Sequence, residues 1–390
     1  MPTIAAIQAF PIRSDLVGGP ARTTPRRPSW NGTTEVAGPM ARHARFKQDR
    51  TVWRPSWPGV GCLVTATDGT WGFGITRYAG PVIPTIESHL APLLIGEDAL
   101  ATEALWDMMA RMASPYSAAG LAAYAISAVD LALWDLKGKI LGQPVWRLIG
   151  GPARPAIPCY ATGGDTDWHM ELGFRATKLP LPHGPADGLP GLNRNEDLVA
   201  RTREMIGRDV ELMLDCWMAL DVEYAVRLAE RLRPHGLRWI EDCLTPEDLD
   251  GQEALRKRLP WCGLATGEHW YMPPPFLHAA ARRMADVLQP DIAWAGGLTA
   301  LLRIHAIADA AGIAVIPHAG MNTPYGQHVG FAMPGAPMGE MFVGTAPGIP
   351  LEETRLFPGM AVPVNGDLVP NDAPGFGLGA TLDDIAAMKP

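Results

Sequence analysis

A chain of 390 residues exceeds one small domain and suits a barrel of about 250 residues joined to a second domain of roughly 100 or more. Hydrophobic residues make up 47% and charged residues 19%, so a large core can form, while a net charge of −8 with dispersed Lys and Arg excludes a nucleic-acid footprint. Five cysteines (Cys62, Cys159, Cys216, Cys243 and Cys262), no CxxC spacing, no secretory leader and no long apolar run point to reduced thiols in a cytoplasmic, non-membrane protein.

Residues 1–10 read as a strand, and 11–60, rich in Pro, Arg, Trp and Gly, as a long loop. Two β-favouring runs, 61–67 and 72–76, flank Asp68-Gly69-Thr70, a hairpin signal. Helical spacing follows over 83–112, then a strongly apolar helix over 119–141 that Gly142 and Pro144 stop. From Pro158 short β-like runs alternate with amphipathic helices. The runs are 157–161, 176–179, 211–215, 237–241, 264–267, 287–290 and 313–317. Repeated βα units at this pace imply a parallel sheet closed into a barrel. The expected division is an α+β capping domain over 1–130, a modified (β/α) barrel over 131–349, and a C-terminal segment, 350–390, returning to the cap.

The ends of the short strands carry the chemistry. Glu211–Asp215 ends in Asp, Leu237–Glu241 in Glu, and Leu264–Glu268 in Glu. In a barrel these C-terminal ends converge on one face. Three carboxylates there repel unless a cation sits among them. An all-oxygen set favours Mg²⁺ or Mn²⁺ over Zn²⁺. Asp215, Glu241 and Glu268 are therefore candidate metal ligands. The next two strands end in Asp291 and His318, and a carboxylate bonded to imidazole fixes its tautomer and strengthens it as a base. Glu340 reads either as another strand-end carboxylate on that face or as a solvated loop residue. Cys216 and Cys243 read as small core residues.

Ala132-Leu-Trp-Asp-Leu-Lys-Gly-Lys139 and Gly142-Gln-Pro-Val-Trp-Arg-Leu-Ile-Gly-Gly151, with the strand-end carboxylates, resemble the mandelate racemase group of the enolase superfamily. Lys178-Leu-Pro-Leu-Pro-His-Gly-Pro-Ala-Asp-Gly188, Leu212–Met218, Thr266-Gly-Glu-His269, Gln289–Thr299 and Val362-Pro-Val-Asn-Gly366 are similar to the L-rhamnonate dehydratase family within it. The resemblance covers nearly the whole chain. It implies Mg²⁺ on Asp215, Glu241 and Glu268, with His318 as general base and Asp291 raising its basicity. It also implies Glu340 supporting the enolate or substrate, and His269 lining the site. The implied reaction removes the C2 proton of an aldonate and eliminates the 3-hydroxyl, giving a 2-keto-3-deoxy sugar acid. A homo-oligomer acting on a sugar-acid substrate is the implied form.

Two departures bear on substrate and reaction. Relatives that racemise or cycloisomerise often carry Lys-x-Lys at the second strand end; here it is Lys178-Leu179-Pro180, which favours one-base dehydration. Lys178 itself reads as a substrate-side or a solvated lysine. In the early loop, Glu35 stands where the family carries a sugar-contacting His. Arg42, Arg45, Arg50 and Arg54 hold the distal end or carboxylate of the substrate, or else form a basic solvated loop. Trp53 and Trp57 are candidates to cap the pocket. The competing functions are a racemase, epimerase or cycloisomerase of another carboxylate anion, and a non-catalytic scaffold.

Overall fold

The computed structural model describes residues 1–13, 23–33, 35–46, 55–353 and 357–390. Strands β1 (Ile4–Ile12), β2 (Gly59–Ala66) and β3 (Trp71–Thr76) form an antiparallel sheet in the order β1-β2-β3. The expected Asp-Gly hairpin joins β2 to β3: the Gly69 and Ala66 N–H groups close the turn, and Asp68 accepts from the Thr70 N–H at 2.9 Å. The helix Leu121–Leu141 lies across this sheet. It is apolar on nearly every side and buried along most of its length, as an all-round hydrophobic helix must be. Its backbone reaches β3 because Gly72 and Gly74 have no side chain there; a Cβ would fall 2.0 Å from the Ala132 carbonyl oxygen or 2.1 Å from that of Ala128. This helix runs unbroken through residues 130 and 131, so the expected boundary between cap and barrel falls inside it.

The region 83–112 is a succession of short helical pieces beginning at Ala79, then Thr102–Ala113. The segment 11–60 departs from a structureless loop. β1 extends into it to Ile12, and a helical turn (Trp30–Thr33) and two 3₁₀ turns (Pro39–Arg42, Ala44–Phe46) lie within it.

Eight parallel strands build the second unit: β4 (Ile157–Thr162), β5 (Ala176–Pro180), β6 (Glu211–Asp215), β7 (Ile240–Glu241), β8 (Leu264–Thr266), β9 (Val287–Leu288), β10 (Ala314–Val315) and β11 (Gly339–Phe342). Pairing runs β10-β9-β8-β7-β6-β5-β4-β11. No ladder joins β10 to β11 among the described residues. That seam is instead bridged by the Val315 N–H to the Gly335 carbonyl at 3.1 Å. Tyr160, Ala176, Met213, Trp239, Ala265, Val287 and Ile316, on or directly beside successive strands, fill the interior as a layer of packed side chains. Two of the intervening helices carry side-chain caps: Asp221 accepts from the Tyr224 N–H at 2.8 Å and Asp248 from the Gly251 N–H at 2.9 Å.

The Ala132–Lys139 motif explains itself structurally. Trp134 donates to Thr299 on a barrel helix at 2.9 Å. The buried Asp135 carboxylate accepts from the Phe73 N–H on β3 at 3.0 Å and from the Phe376 N–H at 2.9 Å, and pairs with Lys139 at 2.7 Å. The C-terminal segment therefore binds both units. β12 (Asp367–Leu368) pairs antiparallel with β4, while the Met388 carbonyl accepts from the Arg13 N–H at 3.0 Å in the cap. No helix among the described residues is long and apolar enough to cross a membrane.

Candidate active site

Parallel register brings the strand ends together. Pro180 pairs with Asp215, and Asp215 with Glu241; Glu268 lies two residues beyond β8. The chain turns sharply there. Trp217 (φ 38°), Met218 (φ 61°), Asp242 (φ 49°) and Ala319 (φ 47°) adopt left-handed backbone within three residues after Asp215, Glu241 and His318. Such non-glycine conformations cost on the order of 1 kcal/mol or more each and persist where neighbours hold them. Here the Trp217 N–H donates to Asp215 Oδ1 at 2.9 Å, and the Ala319 N–H to Glu340 Oε2 at 2.8 Å.

Lys178, on β5, is fully buried rather than solvated. Its ammonium bonds Glu241, lies 2.8 Å from Glu340 Oε1 and 4.0 Å from Asp215 Oδ2. Glu241 also accepts from Trp239 Nε1 at 2.9 Å and Gln289 Nε2 at 2.8 Å. Glu340 is buried on β11 and accepts from the Thr162 hydroxyl at 2.5 Å, so it is no loop residue. Burial alone would raise its carboxyl, but Lys178 and His318 outweigh that and hold it down to about 2. Asp215 moves the other way. Burial, with the charges of Glu241, Glu268 and Asp242, pushes its carboxyl well above the usual range despite Lys178.

Two imidazole–carboxylate pairs face Glu268. His318 Nδ1 lies 2.8 Å from Asp291 Oδ2, and its Nε2 lies 3.4 Å from Glu268 Oε2. Burial pulls this imidazole down, yet Glu268, the Asp291 hydrogen bond and Glu340 together raise it to about 10. His269 Nδ1 lies 3.2 Å from Asp242 Oδ2 and 3.3 Å from Glu268 Oε1. Burial opposes ionisation of Asp242, but His269 and the Thr266 hydroxyl, 2.8 Å away, keep it below the ordinary carboxylate value. Trp294 covers both rings, with centroids 4.9 Å from His318 and 5.8 Å from His269.

The donor set fits a hard divalent cation. Asp215, Glu241, Glu268, Asp242, Asp291 and Glu340 are met by one ammonium and two imidazoles, so the pocket stays anionic even with both rings protonated. Among the described residues, the set whose ligand atoms lie within 4.8 Å of one another is Asp242, Glu268 and His269. Of the three carboxylates expected as ligands, Glu268 belongs to that set, while Asp215 and Glu241 turn to Lys178.

The segment carrying Glu35 crosses the barrel mouth. The Ala37 N–H donates to the Leu181 carbonyl at 2.7 Å, Gly38 backs onto the Trp217 ring, and Glu35 is half-buried. Arg42 and Arg45 are exposed. Arg50, Trp53 and Arg54 lie outside the described residues. Trp57 is 48% exposed and packs edge-on against Tyr78.

Asp242, Gln289 and Trp294 had no place in the sequence-based site. Asp242 directly follows a strand-end carboxylate, and Gln289 and Trp294 flank Asp291 in the quoted Gln289–Thr299 motif. Those positions are the signal that was available.

The Enolase C-terminal domain-like family matches residues 166–385, and the mandelate racemase / muconate lactonizing enzyme N-terminal domain matches 59–150. An L-rhamnonate dehydratase of Saccharopolyspora erythraea is 40% identical over 348 residues, 88% of each chain. The structure of rhamnonate dehydratase from Gibberella zeae complexed with Mg is 33% identical with a TM-score of 0.91, covering 100% of this chain and 97% of that one. The 3,6-anhydro-D-galactonate cycloisomerase of Zobellia galactanivorans is 26% identical with a TM-score of 0.77, covering 99% of each chain. With both domains matched and a 40%-identical relative spanning most of its length, the chain belongs to the mandelate racemase and muconate lactonizing enzyme family of the enolase superfamily.

Proposed function

We propose that the protein is a magnesium-dependent acid-sugar dehydratase, a hydro-lyase acting on L-rhamnonate or a close stereoisomer. The observation that carries the reading is the His318–Asp291 pair, with the free nitrogen of His318 facing the carboxylate array. The 40%-identical relative supports the substrate class.

Asp215, Glu241 and Glu268 would hold the metal. When bound, Mg²⁺ supplies positive charge that stabilises the enediolate formed as the C2 proton leaves. Sharing the Glu268 charge with the metal would release the His318 ring from the protonated form that this charge favours, and Nε2 then takes the C2 proton. Asp291 accepts from Nδ1–H, which keeps Nε2 as the basic nitrogen and stabilises the imidazolium that forms. The imidazolium then returns the proton to the departing 3-hydroxyl, which leaves as water, and the enol becomes the 2-keto-3-deoxy acid. Glu340, tied to Thr162 and to the Ala319 N–H, fixes the turn that carries His318. Lys178 holds Glu241 and Glu340 in place. His269 lines the opposite side, and Glu35 belongs to the segment across the barrel mouth that meets the rest of the sugar.

A second reading, epimerisation at C2, is favoured by the His269–Asp242 pair, which offers a second imidazole. A screen of aldonates with Mg²⁺, read for 2-keto-3-deoxy products, tests the proposal. Turnover of L-rhamnonate or a stereoisomer is expected. C2 deuterium exchange without loss of water would favour epimerisation, and inactivity towards every five- and six-carbon aldonate would sink the dehydratase reading. We also read the protein as a homo-oligomer, for which exposed Leu93, Ile95 and Tyr116 in the cap offer apolar surface; a monomeric mass by light scattering would refute that.

A further inference from the structure

We propose that Thr76, in the cap, is a positioning residue for the Asp291–His318 pair. The inference rests on the roles just assigned to those two residues. Asp291 sits outside any strand, at the start of the loop 291–296 that leads into the helix Gly297–Ala311. Within the barrel the loop is held by its own turns and by the Met272 N–H, which donates to the Ala295 carbonyl at 3.0 Å. Three further backbone groups of the loop are met from the cap. The Thr76 hydroxyl, at the end of β3, donates to the Ala293 carbonyl at 2.6 Å. Trp106 Nε1 donates to the Gly296 carbonyl at 2.7 Å, and Ser127 Oγ accepts from the Gly296 N–H at 2.9 Å. Asp130 accepts from the Thr299 N–H at 2.9 Å where the helix begins.

Thr76 stands nearest the chemistry along this chain of contacts. It binds the carbonyl of Ala293, whose own N–H donates to Asp291 Oδ1 at 2.7 Å, while Asp291 Oδ2 bonds His318 Nδ1 at 2.8 Å. The same loop carries Trp294, which lies over the His318 ring. Thr76 is 6% exposed, so its hydrogen bond is made away from water, where an unmet carbonyl is costly. A cap residue thus sets the angle at which the carboxylate meets the imidazole, although it touches neither substrate nor metal.

The test compares Thr76→Val, which keeps the shape and loses the donor, with Thr76→Ser, which keeps the donor. Each is prepared as the full magnesium-loaded chain and assayed on L-rhamnonate beside wild type and His318→Asn. Thr76→Val is expected to lower kcat about tenfold with KM within about twofold, the size of one lost hydrogen bond, and Thr76→Ser to restore most of kcat. Amide exchange across 291–297, followed by mass spectrometry, is expected to quicken in Thr76→Val only. A crystal structure of that variant should show a longer Asp291–His318 contact. Equal kcat in Val and wild type, equal losses in Val and Ser, or a change in KM alone would overturn the proposal. If His318→Asn stays active, or L-rhamnonate is not turned over, the reading of the site fails separately. The exchange rates and the crystal structure then decide the clamp, with unchanged values in Thr76→Val overturning it. Should Thr76→Val not fold, Thr76→Ala removes the same donor and carries the same expectations.

Discussion

The barrel's strand ends and the segment that crosses its mouth divide the work of the site differently. Lys178, Glu241 and Glu340 sit buried on strands, with Asp215 half-buried among them, and each is tied to its neighbours. Glu35 sits on a connecting segment of short turns, half-buried, with arginines beside it exposed. Rigid elements hold charged groups to the tolerance that proton transfer and metal binding require, while the mouth segment can change its residues without disturbing them. Reaction type should therefore follow the strand ends, and substrate preference the mouth.

Breaking that division at the strand ends should have the largest effect. His318→Asn is expected to lower turnover of L-rhamnonate by about a thousandfold or more, as for loss of a general base, while calorimetry still shows Mg²⁺ binding. Substantial activity in that variant would move the base elsewhere. Next comes the metal. Chelation should abolish activity, and Glu268→Gln should weaken Mg²⁺ binding about a hundredfold, seen by calorimetric titration. Unaltered affinity would take Glu268 out of the ligand set. At the mouth, Glu35→Ala should change kcat/KM by about tenfold or less and alter the ranking of aldonates more than kcat for the best one. A collapse of kcat would give the mouth a share in the chemistry.

The mildest test separates site histidines from structural ones. Burial lowers His169, His305 and His328, on barrel helices, to about 3. Their folded values lie below the ordinary value, so the stability tied to their neutral form is complete above about pH 6.5 and is lost as pH falls towards 3. The melting temperature should drop by on the order of 5 °C between pH 7 and 5.5. A flat profile would mean these rings are hydrated or paired.

The same contrast explains what the sequence disclosed. Strand ends recur at one βα interval, so Asp215, Glu241 and Glu268 stand out, and Asp291 and His318 follow in the same rhythm. Asp242 escapes that logic. Alternation along a strand would send it away from Glu241's face, but its left-handed backbone turns it to His269. Lys178 was ambiguous because its burial depends on carboxylates delivered by three other strands. The short turns within 23–46 rest on contacts with the barrel, such as Trp30 Nε1 donating to the Val343 carbonyl at 3.0 Å, and local patterning does not encode these. The seam between β10 and β11 likewise depends on how the sheet curls rather than on any one strand.

The most direct test of the account is to incubate the protein with L-rhamnonate and Mg²⁺ in deuterium oxide and follow C2 and C3 by NMR. The account predicts loss of the C2 proton and the 3-hydroxyl and appearance of the 2-keto-3-deoxy acid, all absent in His318→Asn. Unchanged L-rhamnonate, with neither dehydration nor exchange at C2, would contradict it.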